Sequence, residues 1–160
     1  MPIATRSSKF DISKKKNLEK IISKILKKIK IGDTIFLYGD IGVGKTTSAR
    51  MFINLLQKNN KLKISEVPSP TFNIVHEYLT KNILVAHYDL YRIRSKEDYN
   101  NIGLNEDDDN KITIIEWPEK IQKKPVNRFE LHFEYKKNFV SRSLKIKKYG
   151  RCIKYDIFKR

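Results

Sequence analysis

The feature that most constrains the fold is one short glycine-rich segment, Gly39-Asp40-Ile41-Gly42-Val43-Gly44-Lys45-Thr46. It follows the apolar run Ile35-Phe36-Leu37-Tyr38 and precedes residues with apolar positions at helical spacing. Strand, glycine loop and helix in this order are the pattern of a phosphate-binding P-loop. Glycine lets backbone N–H groups approach a phosphate without a Cβ in the way. The segment therefore predicts an α/β fold that binds a nucleotide.

The last residues of the segment have side chains suited to a triphosphate. Lys45 offers a mobile ammonium to the β- and γ-phosphates, and Thr46 offers a hydroxyl to Mg²⁺. The helix that begins here directs the positive end of its dipole at the same anion. ATP and Mg²⁺ are therefore the expected ligands.

Length and composition predict one cytoplasmic domain over residues 1–160. The chain has 160 residues, and no apolar run approaches the roughly 20 residues of a membrane span. The single Cys152 cannot form an internal disulfide, and we expect it in a C-terminal strand. The 34 Lys and Arg against 18 Asp and Glu give a net charge of +16, which favours a polyanionic partner. Because the excess is mostly scattered lysine, codon bias of the genome is an alternative explanation.

The remaining chain predicts a three-layer P-loop NTPase-like sandwich whose sheet mixes parallel and antiparallel strands. Helices are expected from a cap at Ser13 to about Lys28 and from a cap at Ser95 to Asn101. The acidic run from Glu106 to Asp109 is interpreted as a solvated loop. The predicted strands are 72–78 and 83–88 as a hairpin, 112–115, 129–135, 143–147 and the more weakly indicated 152–158.

Two carboxylates stand where apolar runs end. Asp89 follows Val85-Ala86-His87-Tyr88, and Glu116 follows the run that ends at Ile115. Ligands of open α/β sheets bind where strand ends converge, so both acids are candidates to hold Mg²⁺ or to orient the attacking water. Trp117 and Pro118 follow Glu116 directly, and an aromatic ring there can shield the acid. We predict Asp89 and Glu116 as catalytic residues beside Lys45, and both, with Thr46, as metal ligands.

Four elements in order resemble the bacterial TsaE (YjeE) family: the loop continued by Thr47, Ser69-Pro70-Thr71-Phe72, His87-Tyr88-Asp89-Leu90-Tyr91-Arg92, and Glu116-Trp117. The resemblance runs from about residue 10 to about residue 147. It implies an ATPase required to make threonylcarbamoyladenosine in tRNA. It also implies partners, a TsaD-like threonylcarbamoyl transferase subunit and its TsaB-like paralogue, without which hydrolysis is weak. Contact with tRNA would be indirect.

The resemblance also implies roles for single residues. Thr71 would belong to a switch segment that senses the γ-phosphate, and Trp117 would lie beside the nucleotide. Arg142 matches an arginine found late in the family. Asp40 stands where the family usually has Glu, and Ile41 where it usually has Leu. The first keeps the acidic character of the position and the second its aliphatic character. The expected nucleotide contacts are Gly39, Asp40, Gly42, Val43, Gly44, Lys45, Thr46, Thr47, Thr71, Trp117 and Arg142.

Two other nucleotide-binding functions are alternatives. A small-molecule kinase could use the same loop, with Arg92 and Arg94 as clustered arginines, but no separate arginine-bearing lid is evident. A GTPase would need an Asn-Lys-x-Asp segment for the base. The nearest string, Asn110-Lys111-Ile112-Thr113, lacks the acid.

The net charge raises a third alternative, an RNA-binding module without catalysis. The basic extension at about residues 147–160 is not explained by the family's motifs, and a tRNA contact is the one role its charge indicates.

Overall fold

The computed structural model describes residues 8–104 and 108–158 of the chain. Glu106 and Asp107 of the acidic run, and the last two residues of the basic extension, lie outside the described residues. The helices are α1 (Lys15–Leu26), α2 (Lys45–Asn59) and α3 (Lys96–Asn101), with 3-10 turns at Pro118–Lys120 and Gly150–Lys154. The strands are β1 (Ser8–Asp11), β2 (Thr34–Tyr38), β3 (Val75–Thr80), β4 (Ile83–Asp89), β5 (Lys111–Glu116), β6 (Arg128–Tyr135) and β7 (Arg142–Tyr149).

The strands form one seven-stranded sheet in the order β1-β7-β6-β2-β5-β4-β3. Strand β2 is parallel to β5 and to β6, and β4 is parallel to β5. The pairs β3–β4, β6–β7 and β1–β7 are antiparallel. The predicted mixed α/β sheet is therefore confirmed. The parallel centre brings the carboxyl ends of β2, β4 and β5 to one edge.

Side-chain alternation along the strands divides the core between two faces. Ile35, Leu37 and Ile114 pack with α1 and α2 in the larger cluster. Phe36 and Ile115 belong to the smaller cluster, which Tyr99 of α3 joins. Successive strand residues point to opposite faces, so each apolar run of β2 and β5 serves both clusters. The sheet thus lies between two helical layers, of which the α3 layer is thin.

Two predicted helix starts have different outcomes. Ser95 caps α3 in a capping box with Asp98, as its spacing indicates. The predicted cap at Ser13 is wrong: the residue before α1 is Lys14, and it makes no side-chain cap bond. The Ser13 hydroxyl instead accepts a hydrogen bond from the Arg142 backbone N–H at 3.0 Å, so it ties α1 to β7.

The strand predicted at 152–158 is wrong, and the strand predicted from residue 72 begins only at Val75. Gly150 follows β7 with φ of 58°, and a Cβ there would collide with Asn127 Oδ1. The chain turns at this glycine into a 3-10 turn that buries Cys152. Burial raises the pKa of the Cys152 thiol, as expected of a packed side chain rather than a reactive one.

The C-terminal segment is anchored to the start of β2 by a buried carboxylate. Asp33 is fully buried and accepts hydrogen bonds from Arg151 Nε at 2.7 Å and from the Tyr155 hydroxyl at 3.0 Å. The Lys30 backbone N–H donates to the same carboxylate at 2.8 Å. The described part of the basic extension therefore packs on the domain. None of the described helices has the length and apolarity needed to cross a membrane.

Candidate active site

The glycine segment forms the bend between β2 and α2 and borders a cavity of about 310 Å³. Gly44 lies before α2 with φ of 118°, and it supplies no side chain to cap the helix. The N–H groups of the first helical turn lack intrahelical partners by geometry, so they are donors for an anion. The cavity is lined by Ile41, Gly42, Gly44, Lys45, Thr46, Thr47, Thr71, Asp89, Tyr91, Glu116 and Trp117.

Lys45 folds back over the loop that precedes it. Its Nζ donates to the carbonyl oxygens of Gly39 at 2.5 Å and of Asp40 at 2.8 Å. The same ammonium lies 4.1 Å from the centroid of the Trp117 ring. Burial lowers the pKa of Lys45, and the negative charge of Glu116 foremost opposes that shift. The cation is thus partly desolvated, which strengthens its interaction with an anion.

Glu116 connects the loop to the centre of the sheet. The Thr46 hydroxyl donates to Glu116 Oε2 at 2.9 Å, and His87 Nε2 lies 2.8 Å from Glu116 Oε1. Glu116 is 2% exposed and His87 is fully buried. Because β4 and β5 are parallel and in register, the ends of both strands meet at this point. Both carboxylate oxygens are therefore held by protein groups, which fixes their direction.

Asp89 forms the second carboxylate of the cavity. It lies opposite Glu116 in the register of β4 and β5. Its Oδ2 accepts from the Thr71 hydroxyl at 2.7 Å, and its Oδ1 accepts from the Tyr91 backbone N–H at 3.0 Å. The Ser69 and Thr71 hydroxyls are 2.7 Å apart. The Ser-Pro-Thr segment is thus joined to the site through Asp89.

Trp117 has an uncommon backbone conformation. Its φ of 57° and ψ of 51° are left-handed, which is unfavourable for a bulky residue, and Pro118 follows at the start of a 3-10 turn. This bend places the indole between Lys45 and Tyr91, whose ring centroid is 5.0 Å away. Such backbone outliers concentrate at functional sites, where surrounding contacts sustain the strain.

Four of the predicted nucleotide contacts do not line the cavity: Gly39, Asp40, Val43 and Arg142. A Cβ on Gly39 would lie 2.8 Å from the Phe133 carbonyl oxygen, so this glycine serves packing. Arg142 lies beside the loop, with Nη1 3.8 Å from where a Gly44 Cβ would be. Its Nε is buried and has no hydrogen-bond partner, so the guanidinium retains a donor close to the loop.

The oxygen ligands of the cavity suit Mg²⁺, which keeps water and phosphate oxygens in its shell, better than a metal ion held by protein groups alone. Among residues 8–104 and 108–158 no cluster of three or more His, Cys, Asp or Glu could hold a metal ion. The cavity has two carboxylates, Asp89 and Glu116, and the Thr46 hydroxyl. Magnesium is bound by one or two carboxylates, with phosphate oxygens and water completing its shell.

Comparison with known proteins identifies the family. The family model described as threonylcarbamoyl adenosine biosynthesis protein TsaE matches residues 12–144. The chain belongs to the TsaE family. The resemblance read from its motifs is therefore confirmed.

Curated relatives with the TsaE name occur in several bacteria. The one from Rickettsia felis, named tRNA threonylcarbamoyladenosine biosynthesis protein TsaE, is 32% identical over 111 residues, 69% of this chain and 63% of the relative. The one from Borreliella burgdorferi is 42% identical over 91 residues, 56% of this chain and 62% of the relative. This TsaE chain thus aligns with less than two thirds of either relative's length.

A solved structure confirms the predicted fold. The crystal structure of Bacillus subtilis YdiB superposes with a TM-score of 0.69, and the match covers 96% of this chain and 90% of that one. At 20% sequence identity this similarity concerns the fold alone.

Three residues of the site, His87, Tyr91 and the cavity-lining Ile41 of the loop, were not among the predicted functional residues. His87 contacts Glu116, and Tyr91 lines the cavity. Strand periodicity was a usable signal for His87, because residues two apart in a strand share a face, and Asp89 had already been assigned to the site. Tyr91 follows β4 in a turn, for which no such periodicity exists.

Proposed function

We propose that this TsaE chain binds ATP with Mg²⁺ and hydrolyses ATP in support of threonylcarbamoyladenosine formation in tRNA. One observation carries the proposal: the Thr46 hydroxyl at the start of α2 is hydrogen-bonded to Glu116 at the end of β5. A metal site of a P-loop enzyme requires this juxtaposition of a loop hydroxyl and a strand-end carboxylate. Family membership supports the assignment to tRNA modification.

The residues of the loop would bind and orient the phosphates. The N–H groups at the start of α2 offer donors, and Lys45 would move its ammonium from the carbonyls of Gly39 and Asp40 to a phosphate oxygen. Arg142 offers an Nε–H that has no hydrogen-bond partner, from a position beside Gly44 of the loop. Mg²⁺, when bound, would supply charge neutralisation of the phosphates.

Glu116 and Asp89 have distinct neighbours and therefore distinct proposed roles. Glu116 would accept a hydrogen bond from the attacking water and orient it, because His87 and Thr46 hold its carboxylate in place. Asp89 would bind Mg²⁺ together with Thr46 and Glu116. Through its hydrogen bond with Thr71 it would also signal to the Ser-Pro-Thr segment whether a γ-phosphate is present. Trp117 would exclude water from one side of the cavity.

Partner proteins are proposed as the remaining part of the machinery. Ile41 is 68% exposed and Phe72, beside Thr71, is 82% exposed. Exposed apolar side chains near a site are suited to being covered by another protein. A TsaD-like transferase subunit and its TsaB-like paralogue are the partners that we expect to stimulate hydrolysis.

Nucleotide titration tests the binding part of the proposal. We expect Lys45→Ala to lose measurable affinity for Mg-ATP, while Lys58→Ala, an exposed lysine near the end of the same helix, keeps it. Equal affinity in the Lys45→Ala variant would contradict the assignment. Excess GTP should not displace labelled ATP, since no guanine-recognition segment is present in the sequence.

Phosphate release tests the reaction. We expect it to be slow for the chain alone, faster with the partner pair, and independent of small-molecule acceptors. Acceptor-dependent consumption of ATP without the partner pair would favour the kinase alternative. Neither Arg92 nor Arg94 lines the cavity, and Arg92 lies over the Phe72 ring, 5.3 Å from its centroid.

A further inference from the structure

A second and larger concavity lies away from the candidate active site. Helix α1, strand β1 and the C-terminal segment enclose a groove of about 680 Å³, and it shares no lining residue with the active-site cavity. We name it the α1 groove. It is lined by Phe10, Asp11, Lys16, Asn17, Glu19, Lys20, Ile21, Ser23, Lys24, Lys27, Ile157 and Phe158.

Four exposed lysines follow one side of α1 along this groove: Lys16, Lys20, Lys24 and Lys27. Their spacing of four, four and three residues places them on one face of the helix, over roughly 16 Å at 1.5 Å per residue. Asp11 and Glu19 are the two carboxylates of the groove, and Asp11 is already paired with Lys136 at 2.6 Å. The groove is therefore a cationic strip rather than a balanced charged surface.

The floor of the α1 groove is aromatic and aliphatic. The Phe10 and Phe158 rings are stacked, with centroids 5.2 Å apart and an interplanar angle of 23°. Ile21 and Ile157 extend this apolar floor. Both rings are half-buried, so they present a surface inside the groove rather than a protruding wedge.

We propose that the α1 groove binds single-stranded RNA, with its backbone phosphates along the lysines and a base stacked on the Phe10 and Phe158 pair. A cationic channel with aromatic rings in its floor is the arrangement that holds single strands, because every base has a face that can stack. A membrane surface would need protruding apolar side chains, and recessed rings do not supply them. The proposal rests on the proposed function in one respect, that tRNA is the source of the RNA. It does not depend on ATP hydrolysis.

Fluorescence anisotropy with a labelled oligouridine of about 12 nucleotides, a length suited to one such groove, tests the proposal in about 0.15 M salt. We expect the Lys20→Glu/Lys24→Glu variant to bind roughly tenfold more weakly, with the magnitude of the salt slope reduced by about 1.4 for two lost contacts. The matched control reverses two exposed lysines at the end of α2, Lys58→Glu and Lys61→Glu, with the same change in net charge. We expect this control to stay near wild type.

The stacking part has its own variant. Phe158→Leu keeps an apolar side chain but loses the flat ring, and we expect a roughly tenfold loss of RNA affinity. The thermal unfolding midpoint of Phe158→Leu is measured on the same preparation. Loss of RNA affinity at an unchanged midpoint supports the stacking role. RNA affinity unchanged in Phe158→Leu would overturn the proposal.

Three further results would also overturn it: no binding of the RNA, equal losses in the α2 control, or groove-dependent binding only to phosphatidylserine vesicles. Lys45→Ala separates this proposal from the proposed function. It should lose affinity for Mg-ATP and keep its affinity for RNA. The Lys20→Glu/Lys24→Glu variant should keep its affinity for Mg-ATP and lose affinity for RNA. Each proposal can therefore fail without the other.

Discussion

Glu116 is the residue at which charge and shape can be separated most clearly. The variants are Glu116→Gln, which keeps the shape and removes the charge, and Glu116→Ala, which removes both. In the wild type, one carboxylate oxygen lies 2.8 Å from His87 and the other accepts from Thr46 at 2.9 Å. Glutamine can still contact both neighbours, because a threonine hydroxyl can accept as well as donate.

The structure gives the expected size of each effect on stability. Replacing two charge-assisted hydrogen bonds by neutral ones costs about 1 kcal/mol each, so Glu116→Gln should lose about 2 kcal/mol. Glu116→Ala leaves two neighbours, His87 and the Thr46 hydroxyl, without their partner at about 1–3 kcal/mol each, so it should lose about 4 kcal/mol. At about 2–4 °C per kcal/mol for a chain of this length, the midpoints should fall by about 6 °C and roughly 12 °C.

Turnover should not follow that ranking. If the ionised carboxylate orients the attacking water, both variants lack that group, and the rate of ATP hydrolysis should fall by about 10²–10⁴-fold in each. The assay is partner-stimulated phosphate release at saturating ATP, with thermal melting of the same preparations. Glu66→Gln, which removes an exposed charge outside the cavity, is the matched control and should leave both quantities unchanged. Wild-type turnover in Glu116→Gln would refute the catalytic role.

Three further predictions concern other contacts. Asp33→Ala leaves the buried Tyr155 hydroxyl unpaired and should cost about 1–3 kcal/mol, seen as a fall of about 6 °C in the midpoint of thermal melting; an unchanged midpoint would contradict this. Burial alone would raise the pKa of Glu130, but hydrogen bonds from a histidine and an arginine of the same strand lower it from 4.5 to about 2. Because the pKa of Glu130 is lower in the folded state, the ionised side chain contributes about 3 kcal/mol to the free energy of unfolding above pH 4.5, and this contribution is lost as the pH falls towards 2. Chemical denaturation at several pH values should show that Glu130→Gln lacks this acid-dependent part of the stability. Thr71→Val removes the hydroxyl that donates to Asp89 and should slow hydrolysis about tenfold with little change in ATP affinity, measured by kinetics and titration; unchanged kinetics would exclude a role for this contact.

Local signals in the sequence were sufficient for several elements and for the outline of the site. The glycine segment specifies its own bend, since positive φ at Gly42 and Gly44 is a property of the residue type. The Ser95 capping box likewise depends on atoms three residues apart. Asp89 and Glu116 could be located because a carboxylate that ends a buried run lies at a strand end whichever strands are neighbours. The roles of these residues in catalysis stay predictions.

Tertiary structure decided whatever depends on partners far along the chain. Strand β1 pairs with β7 over a separation of more than 130 residues, and no local pattern encodes that pairing. Ser13 has the residue type of a helix cap, but its hydroxyl bonds to β7 instead. The end of the chain has strand-like composition, but the positive φ of Gly150 turns it away from the sheet, and Asp33 then anchors it. His87 acquires its contact with Glu116 only through the register of β4 and β5, because long-range pairing, not propensity, brings two buried polar groups together.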